Sequence, residues 1–568
     1  HSSTTNKWLG AIDNFVVAAY SDLQSGWAGF TSGDWSNAEN WYSGSVPTGS
    51  VTINPNTDSA SNNPSIGTDL SISDLVVETG VSLTITKDGS ATISGDFTNS
   101  GTVTMNSEAD GFSSLIVSGT ATGNVIYNRY VNSVENDEWD LVGSPVSDLL
   151  ISDFVTSNSG TLATSGSYSA VGIYDNVTDS WENYSGTDQG WQSTTTGFFE
   201  LGRGYQMATV SGATLTFTGS VASSDQTYEV TNQANNGGRR WNLVSNPFPS
   251  YVNATNAADS ENNFLKVNLE LNVIDSQFGA VYAWNGTDYT PYGHDDTVYI
   301  APGQAFMVAA AASSEAVMLT MEAGSRTFTG TDDFISGDVM DATEVYLRVY
   351  HGDALIKDTH IKFQDNMTLG LDPGYDLGNF YQDAAISTRL IEDDQGTNFA
   401  HQQLPVDAMD NAVIPLVINQ VAGQEFRINL HTATIPDPNV YLEDVEEGTF
   451  TNLYEGDFVM TPESDLSGAG RFFIHMSADT MSNEDVSTSL LNAYKEIDAS
   501  YITIEGLATQ SNETKVSLYN ILGREVLSTT LDNNMGTQTI STVGLSAGIY
   551  VIELESGTDR LTKKLIIK

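Results

Sequence analysis

The sequence predicts an all-β protein of several modules: a short β-solenoid, then β-sandwich modules, then a small C-terminal β-sandwich. Three observations support this fold class. Short runs of alternating apolar and polar residues are separated by glycine-containing turns along most of the chain, as half-buried strands require. One set of phrases occurs twice in the middle of the chain. The last segment, 495–568, differs in charge from everything that precedes it.

Length and composition limit the possible functions. The chain has 568 residues, enough for several modules that each bury a core. Its net charge of −51 excludes unassisted binding to nucleic acid or to an anionic membrane, since both require a basic surface. It contains no cysteine, which excludes disulfides and thiolate metal sites. Its longest apolar run, 305–312, is too short to span a bilayer, so we expect no transmembrane segment.

The N-terminal part is predicted to be a cap followed by a solenoid. Residues 1–50 are rich in tryptophan and turn residues, which indicates an N-terminal cap. Over 51–131, Ile93, Met105 and Val117 recur at twelve-residue intervals between glycine-marked turns. Such spacing is typical of a parallel β-solenoid, in which each coil buries its apolar face against the next. An antiparallel sandwich is the alternative.

Residues 132–340 contain an internal repeat. The phrase WDLVGSPVS begins at Trp139, and the similar phrase WNLVSNPFPS begins at Trp241. Each phrase is followed by an aromatic-rich strand and then by a glycine-led strand. This order predicts either a duplicated β-sandwich or two halves of one sandwich.

Two further segments lead to the C-terminus. Residues 341–481 have the strand spacing and hairpin signals of another β-sandwich. Residues 482–497 are predicted to be a helical linker, because Ser482 or Asn483 can cap a helix and acidic residues follow in its first turn.

The C-terminal stretch 498–568 reads as tight antiparallel strands with its own electrostatics. Residues 495–568 contain 7 basic and 9 acidic residues, whereas the remainder contains 14 and 63. The phrases VSLYNILGREV, LSAGIYVIELESG and TKKLIIK occur here in order. The stretch resembles the type A C-terminal sorting domain of the type IX secretion system of Bacteroidetes. It lacks the Tyr-Pro-Asn-Pro segment that opens many members.

The resemblance implies export across the outer membrane as folded cargo, with 498–568 binding the type IX secretion machinery. It therefore implies a protein secreted or held at the cell surface. The chain begins with His1 and no tag-like sequence follows, so we expect that a secretion signal has been removed. We also expect the C-terminal domain to pack on the preceding sandwich or on a neighbouring subunit.

Acidic loops are the candidates for a metal site, with calcium as the expected ion and no other cofactor indicated. Calcium requires six to eight oxygen ligands from such loops, and a solvated loop is the alternative for each cluster. No EF-hand spacing is present. The candidate calcium ligands are Asp332, Asp333, Asp338 and Asp341. The other acidic clusters are Asp295 with Asp296, and Glu392 with Asp393 and Asp394.

Catalytic motifs are not evident, so we predict no catalytic residue. His351 and His360 flank a hairpin-like turn and could meet, although strand-surface histidines are the simpler interpretation. Ser546 lies in a G-x-S-x-G pattern, but a strand follows it where a hydrolase needs a helix. A glycosidase would need paired carboxylates beside exposed aromatic rings. The aromatic candidates are Trp181, Trp191, Trp284, Tyr289 and Tyr292.

Three Asp-Ser/Thr-apolar sites fit the O-glycosylation pattern of Bacteroidetes, namely Ser59, Thr297 and Thr480. Together these features favour a non-enzymatic structural or adhesive protein outside the cell, which forms a homo-oligomer or is a subunit of a surface filament or other assembly. If it polymerises, uncapped solenoid ends or sheet edges are the natural contacts. A secreted carbohydrate-binding protein or hydrolase with an unrecognised site is the alternative.

Overall fold

The computed structural model describes residues 26–55, 62–134, 139–185, 197–234, 238–312, 316–330, 343–435, 439–477, 491–495, 499–520, 524–557 and 559–567. The architecture is all-β, as predicted: strands dominate, and the two α-helices of the described part have one or two turns each. Short 3-10 turns occur at Ala38–Asn40, Ala323–Ser325, Val406–Asp410 and Leu507–Thr509. Within these ranges no helix is long and apolar enough to cross a membrane.

The first twelve strands form a β-solenoid with three parallel sheets. Their orders are β1-β4-β7-β11, β3-β6-β10 and β2-β5-β8-β12, and β9 pairs with β8. The strands are β1 Val51–Ile53, β2 Ser65–Ile66, β3 Asp69–Ile72, β4 Leu75–Val77, β5 Ser82–Ile85, β6 Ser90–Ile93, β7 Phe97–Asn99, β8 Thr102–Glu108, β9 Gly111–Phe112, β10 Ser114–Val117, β11 Ala121–Thr122 and β12 Asn124–Val131.

Parallel pairing confirms the solenoid over the antiparallel alternative. Ile72, Ile93 and Val117 stack in register through one sheet, whereas Met105 pairs with Ile85 in another. The twelve-residue interval is therefore half a coil. Each inward position is buried against the coil above and below it, so the apolar ladder forms one continuous core.

Both ends of the solenoid are covered. At the first coil, Trp27, Trp35 and Trp41 pack against one another with ring centroids 4.7–6.2 Å apart. The backbone N–H of Trp35 donates to Ser65 O on β2 (3.0 Å). At the last coil, β12 pairs antiparallel with a strand of the next module, β18. Head-to-tail stacking of these ends would first require removal of both covers.

The next region holds two repeats with the same strand order. In the first repeat the order is β13-β17-β15-β16, and in the second it is β20-β25-β22-β23. The elements are β13 Asp140–Val142, α1 Ile151–Ser157, β14 Thr164–Ser165, β15 Tyr168–Asp175, β16 Ser180–Ser185, β17 Tyr205–Met207, β18 Ala213–Ser220, β19 Gln226–Val230, β20 Trp241–Ser245, β21 Tyr251–Asn253, α2 Phe264–Glu270, β22 Val281–Trp284, β23 Tyr289–Tyr292, β24 Tyr299–Ile300, β25 Ala305–Ala309, β26 Val317–Met321 and β27 Arg326–Thr327.

A buried asparagine anchors the helix in each repeat: Asn158 directly follows α1, and Asn268 lies within the last turn of α2. The side chain of Asn158 donates to Thr216 O (3.1 Å) and accepts from Thr216 N (2.7 Å). Asn268 makes the same pair of bonds with Thr320 (both 2.8 Å). Each amide also donates to a carbonyl of its own helix. These anchors fix the helix to the following strand in both repeats.

The repeated phrases meet across the boundary between the repeats. Gly143 N donates to Gly303 O (2.6 Å), and Ser245 N donates to Gly202 O (2.8 Å). Each repeat thus pairs its repeated phrase, which begins at Trp139 or Trp241, with the glycine-led segment of the other repeat. A Cβ added at Gly143 would lie 2.0 Å from Ser245 Oγ, so this close approach requires glycine.

One continuous sheet of eleven strands follows. Phe458 on one edge contacts Phe472 near the other edge, with ring centroids 5.8 Å apart, so the sheet curls around a single core. The strands are β28 Thr343–His351, β29 Ala354–Phe363, β30 Leu377–Gly378, β31 Ile386–Thr388, β32 Phe399–Leu404, β33 Val413–Ile418, β34 Phe426–Ala433, β35 Asn439–Asp444, β36 Thr449–Asn452, β37 Phe458–Met460 and β38 Phe472–Ser477. We call this unit the curled-sheet module.

The C-terminal module is a small sandwich of two sheets around its own core, with orders β39-β40-β43 and β42-β41-β44-β45. Its strands are β39 Asn492–Tyr494, β40 Tyr501–Glu505, β41 Thr514–Asn520, β42 Glu525–Leu531, β43 Thr537–Ser541, β44 Gly548–Ser556 and β45 Asp559–Ile567. The predicted helix at 482–497 is wrong where the structure describes it. Asn492–Tyr494 is a strand that pairs with β40, and 482–490 lies outside the described residues.

The C-terminal module packs on the curled-sheet module, which confirms the predicted contact. Arg389 is buried at this boundary, forms an ion pair with Asp394 (3.4 Å) and lies over the ring of Tyr494 (4.6 Å). The Tyr494 hydroxyl donates to Glu505 (2.9 Å). Burial raises the pKa of Glu505 to about 7, and the charge of Arg389 opposes this shift.

Candidate functional site

An open cleft of about 510 Å³ lies where the two repeats and the curled-sheet module meet. The first repeat supplies the β15–β16 hairpin. The second repeat supplies the start of β20 with the residues before it, the segment before β22, and strands β23 and β25. The curled-sheet module supplies the loop before β31. The residues that form it include Tyr174, Asp179, Trp181, Arg239, Arg240, Trp241, Phe278, Tyr289, Met307, Phe380, Tyr381 and Asp383. We call this site the aromatic cleft.

Stacked rings form the floor of the aromatic cleft. Phe380 lies between Trp241 and Tyr289, with centroids 4.1 and 4.2 Å away and interplanar angles of 20° and 21°. The ring of Trp241 also meets Tyr282 edge-on at 4.7 Å. These rings belong to an apolar cluster that joins the second repeat to the curled-sheet module. The floor is therefore rigid and shared between modules.

Two aromatic rings remain exposed at the rim. Trp181 on β16 is 37% exposed, and Tyr381 is 52% exposed. Trp181 packs beside Tyr174 (5.4 Å), and Tyr381 packs edge-on against Phe380 (5.0 Å). Each rim ring is thus held by a neighbouring ring while one face stays accessible to a ligand.

Two arginine–aspartate pairs provide the polar groups. Arg239 Nε donates to Asp179 Oδ2 (2.9 Å), and the hydroxyl of Tyr174 donates to Asp179 Oδ1 (2.7 Å). Burial, and then the Asp179 carboxylate, raise the pKa of Tyr174. Arg240 pairs with Asp275 (2.7 Å) and lies over the ring of Phe278 (4.4 Å). Both arginine charges are therefore balanced within the cleft wall.

The predicted aromatic candidates separate into three groups. Trp181 and Tyr289 line the cleft. Trp284 supports Tyr289 from behind (5.1 Å), and Tyr292 packs against the core of the second repeat. Trp191 lies outside the described residues. Sequence reasoning missed Phe380 and Tyr381, because only tertiary contact brings them to the repeats.

The predicted calcium ligands Asp332, Asp333, Asp338 and Asp341 lie outside the described residues. Among the residues that the structure describes, no group of three or more histidine or acidic residues could hold a metal ion. In the cluster 392–394, Asp394 is buried and pairs with Arg389, whereas Glu392 and Asp393 are exposed. The other cluster takes part in a contact between modules.

Asp295 and Asp296 of the second repeat face Lys362 of the curled-sheet module at 3.3 and 3.8 Å. Burial lowers the pKa of Lys362, but the two carboxylates more than offset this effect and leave it raised. Asp376 is fully buried nearby and accepts from the backbone N–H of Gln403 and of Asp372. Burial raises the pKa of Asp376 to about 7.

The histidines do not form a catalytic pair across the hairpin. His351 lies opposite Ala354, and its Nε2 contacts Gln420 (2.6 Å). His360 lies opposite Tyr346 and stacks on that ring at 3.8 Å. The suggestion that His351 and His360 meet is therefore wrong, because they occupy opposite ends of the hairpin.

The other predicted site residues lie away from the cleft. Ser546 precedes β44 in the C-terminal module, where its carbonyl accepts from the Tyr550 hydroxyl (2.7 Å). Thr297 is exposed, as a modification site must be. Ser59 and Thr480 lie outside the described residues.

Two family models match the chain. The model described as "Domain of unknown function (DUF8693)" matches residues 26–476, which include every residue of the aromatic cleft. The model described as "Secretion system C-terminal sorting domain" matches residues 498–568. No curated protein matches the chain. The second match confirms the sorting domain predicted from its three phrases.

Proposed function

We propose, from the premise that this chain belongs to the DUF8693 family, that it is a non-enzymatic adhesive protein that binds through its aromatic cleft. Its sorting domain makes it a type IX secretion protein, delivered to the cell surface or the extracellular space. Such a location favours recognition of material outside the cell. The exposed rim rings Trp181 and Tyr381, above a rigid aromatic floor, are the observation on which the proposal rests.

The polar groups of the cleft favour binding over hydrolysis. A glycosidase of the common type needs one carboxylic acid and one free carboxylate on opposite sides of the bond. Asp179 instead accepts from Tyr174 and from Arg239, and Asp275 is paired with Arg240. These hydrogen bonds and ion pairs occupy both carboxylates, so neither is placed as the free acid or the free carboxylate that such hydrolysis requires. A fixed, paired wall is suited to holding a ligand.

An attachment assay tests the adhesive role. A deletion strain would be complemented with wild type, with the double variant Trp181→Ala/Tyr381→Ala, or with Tyr168→Ala. Tyr168 is a matched control, because it is an exposed aromatic residue on the same hairpin but outside the cleft. We expect wild type and Tyr168→Ala to restore attachment to extracellular matrix, and the double variant to fail. A deletion strain that attaches as well as its parent would refute the role.

The non-enzymatic part has its own test. Purified full-length protein would be incubated with polysaccharides and peptides, and products would be followed by chromatography. We expect no turnover. Hydrolysis that disappears when one aspartate or glutamate is replaced would overturn the proposal in favour of a secreted hydrolase.

A structural subunit of a surface assembly is the second candidate, and one edge strand favours it. In the described sheet β45 pairs on one side only, with β44, through nine residue pairs. An open edge of this length is a template for pairing with another chain. Lys563 and Lys564 on this strand oppose uncontrolled pairing. Electron microscopy of native secreted material should show ordered polymers if this candidate is correct, whereas only dispersed monomers would count against it.

A further inference from the structure

The aromatic cleft combines features that select one class of ligand. Its rim rings present flat apolar faces, and its wall presents paired polar groups. The apolar C–H face of a pyranose ring packs on an aromatic ring, while its equatorial hydroxyls need donors and acceptors at the edges. The volume of about 510 Å³ lies within the usual range for ligand sites, roughly 300–1,000 Å³.

The rim rings are preorganised. Trp181 is held by Tyr174, and Tyr381 is held by Phe380, which is itself stacked between two buried rings. Rings fixed in this way lose little conformational entropy when a ligand lands on them. Because Trp181 and Tyr381 come from different modules, a ligand that touches both must extend across the cleft.

Hydrogen-bonding groups lie beside these rings. The side chains of Asp179 and Arg239 are 44% and 54% exposed although they pair with each other. A carboxylate oxygen has lone pairs for more than one donor, and a guanidinium has five N–H donors. The exposed carboxylate of Asp383 adds a further acceptor on the opposite wall. These groups can satisfy the hydroxyls of a bound sugar.

Charge decides between neutral and acidic ligands. Asp179 balances Arg239, and Asp275 balances Arg240, so the arginines present no uncompensated positive charge. Asp383 remains exposed, and the whole chain has a net charge of −51. The field of such a protein repels polyanions. The cleft therefore favours a ligand without charge.

We propose that the aromatic cleft binds a neutral polysaccharide chain that lies across Trp181 and Tyr381, with Asp179 and Arg239 as hydroxyl partners. The proposal rests on the proposed adhesive function and names the ligand class of that site. The bound polysaccharide extends from the first repeat to the curled-sheet module. It stacks on the two rim rings and hydrogen-bonds to the polar wall.

Affinity electrophoresis of the full-length protein tests the proposal. The probes are neutral glucan, xylan, mannan and galactan, with alginate as the acidic comparison. We expect retention by at least one neutral polymer, little change in that retention with salt, and none by alginate. Trp181→Ala and Tyr381→Ala should each raise Kd about tenfold or more, equal to about 1.4 kcal/mol. Tyr168→Ala should bind as wild type.

The outcomes separate this proposal from the adhesive role. If none of the neutral polymers retards the protein while wild type still restores attachment, the saccharide inference is refuted and the adhesive role stands. If attachment itself does not depend on the protein, the adhesive role fails. Retention that both rim variants preserve, or salt-sensitive retention by alginate alone, would overturn the assignment. Circular dichroism of each variant should match wild type, because both replaced rings lie at the exposed rim.

Discussion

The two repeats share a strand order, and both touch the solenoid, yet their apolar cores join different modules. The first repeat joins the solenoid through the β12–β18 pair, and its core is continuous with the solenoid core. The second repeat packs against the curled-sheet module, which contributes Leu377 and Phe380 to their shared cluster. The same signature tryptophan is half-buried in the first repeat, as Trp139, and buried in the second, as Trp241.

This difference separates what the fold requires from what the site requires. Both repeats keep the asparagine anchor, Asn158 and Asn268, because it ties a helix to a strand within each repeat. Among the described residues, a ring from another module covers the tryptophan of the second repeat, namely Phe380 over Trp241, but not that of the first. The aromatic cleft therefore arises from the surroundings of the second repeat and not from the repeated unit itself.

The largest expected difference between the repeats is in the stability lost when each signature tryptophan is replaced. Trp241→Ala removes a ring that contacts Phe278, Tyr282 and Phe380 in a buried cluster. We expect a loss of about 3–5 kcal/mol in the free energy of unfolding. Trp139→Ala should cost less, since that ring is half-buried. Calorimetry of the full chain measures both, and equal losses would contradict the unequal coverage.

The asparagine anchors should show the opposite result, with equal effects. Asn158→Ala and Asn268→Ala each leave buried backbone groups of a helix and a strand without their side-chain partner. We expect each to cost about 1–3 kcal/mol. Each variant serves as the control for the other in thermal unfolding. Losses that differ severalfold would show that the two repeats are not equivalent in their interior.

The stability of the curled-sheet module, which packs on the second repeat, should depend on pH through Asp376. Its pKa is raised to about 7, so the folded state binds a proton that the unfolded state releases near pH 4. Stability from this group is complete at low pH and is lost as pH rises through about 7. The nearby carboxylates of Asp372 and Asp295 add to this upward shift of the pKa, whereas the backbone N–H groups of Gln403 and Asp372 oppose it.

Asp376→Asn should remove that part of the pH dependence. Between pH 5 and pH 8 we expect the Tm of wild type to fall more than the Tm of the variant. The corresponding loss in the free energy of unfolding is about 1 kcal/mol for each unit by which the pKa of Asp376 is shifted, and solvent relaxation around the carboxylate reduces it. Glu505 contributes a dependence of the same sign to both proteins, so the difference between them isolates Asp376. Parallel Tm curves would rule out a titrating Asp376.

Local patterns in the sequence were sufficient for the regular parts of the fold. Alternation and turn spacing predicted the solenoid, although Ile93 and Met105 proved to mark half-coils on different sheets. The helix prediction at 482–497 failed at Asn492–Tyr494, because pairing with an adjacent strand overrides weak helix propensity.

The cleft could not be predicted in the same way. Trp181 and Tyr289 were recognisable as candidate rings, but Phe380 and Tyr381 follow no pattern that links them to the repeats. Similarly, Asp295 and Asp296 read as a metal loop until Lys362 is placed against them. Convergence of three modules is a property of tertiary packing, which no short window of sequence records.

The reciprocal pairing of the repeats has a kinetic consequence. Gly143 bonds to Gly303 between the repeats. Two arginine contacts join the second repeat to the solenoid: Arg129 donates to Pro302 O across 173 positions, and Arg326 donates to Val117 O across 209. Contacts of such high sequence separation slow folding, because a long loop must close before they form. Neither repeat can form its hydrogen bonds to the other until both have been synthesised. Nascent chains that end between these partners should therefore stay protease-sensitive, and the region should gain protection in one late, cooperative step.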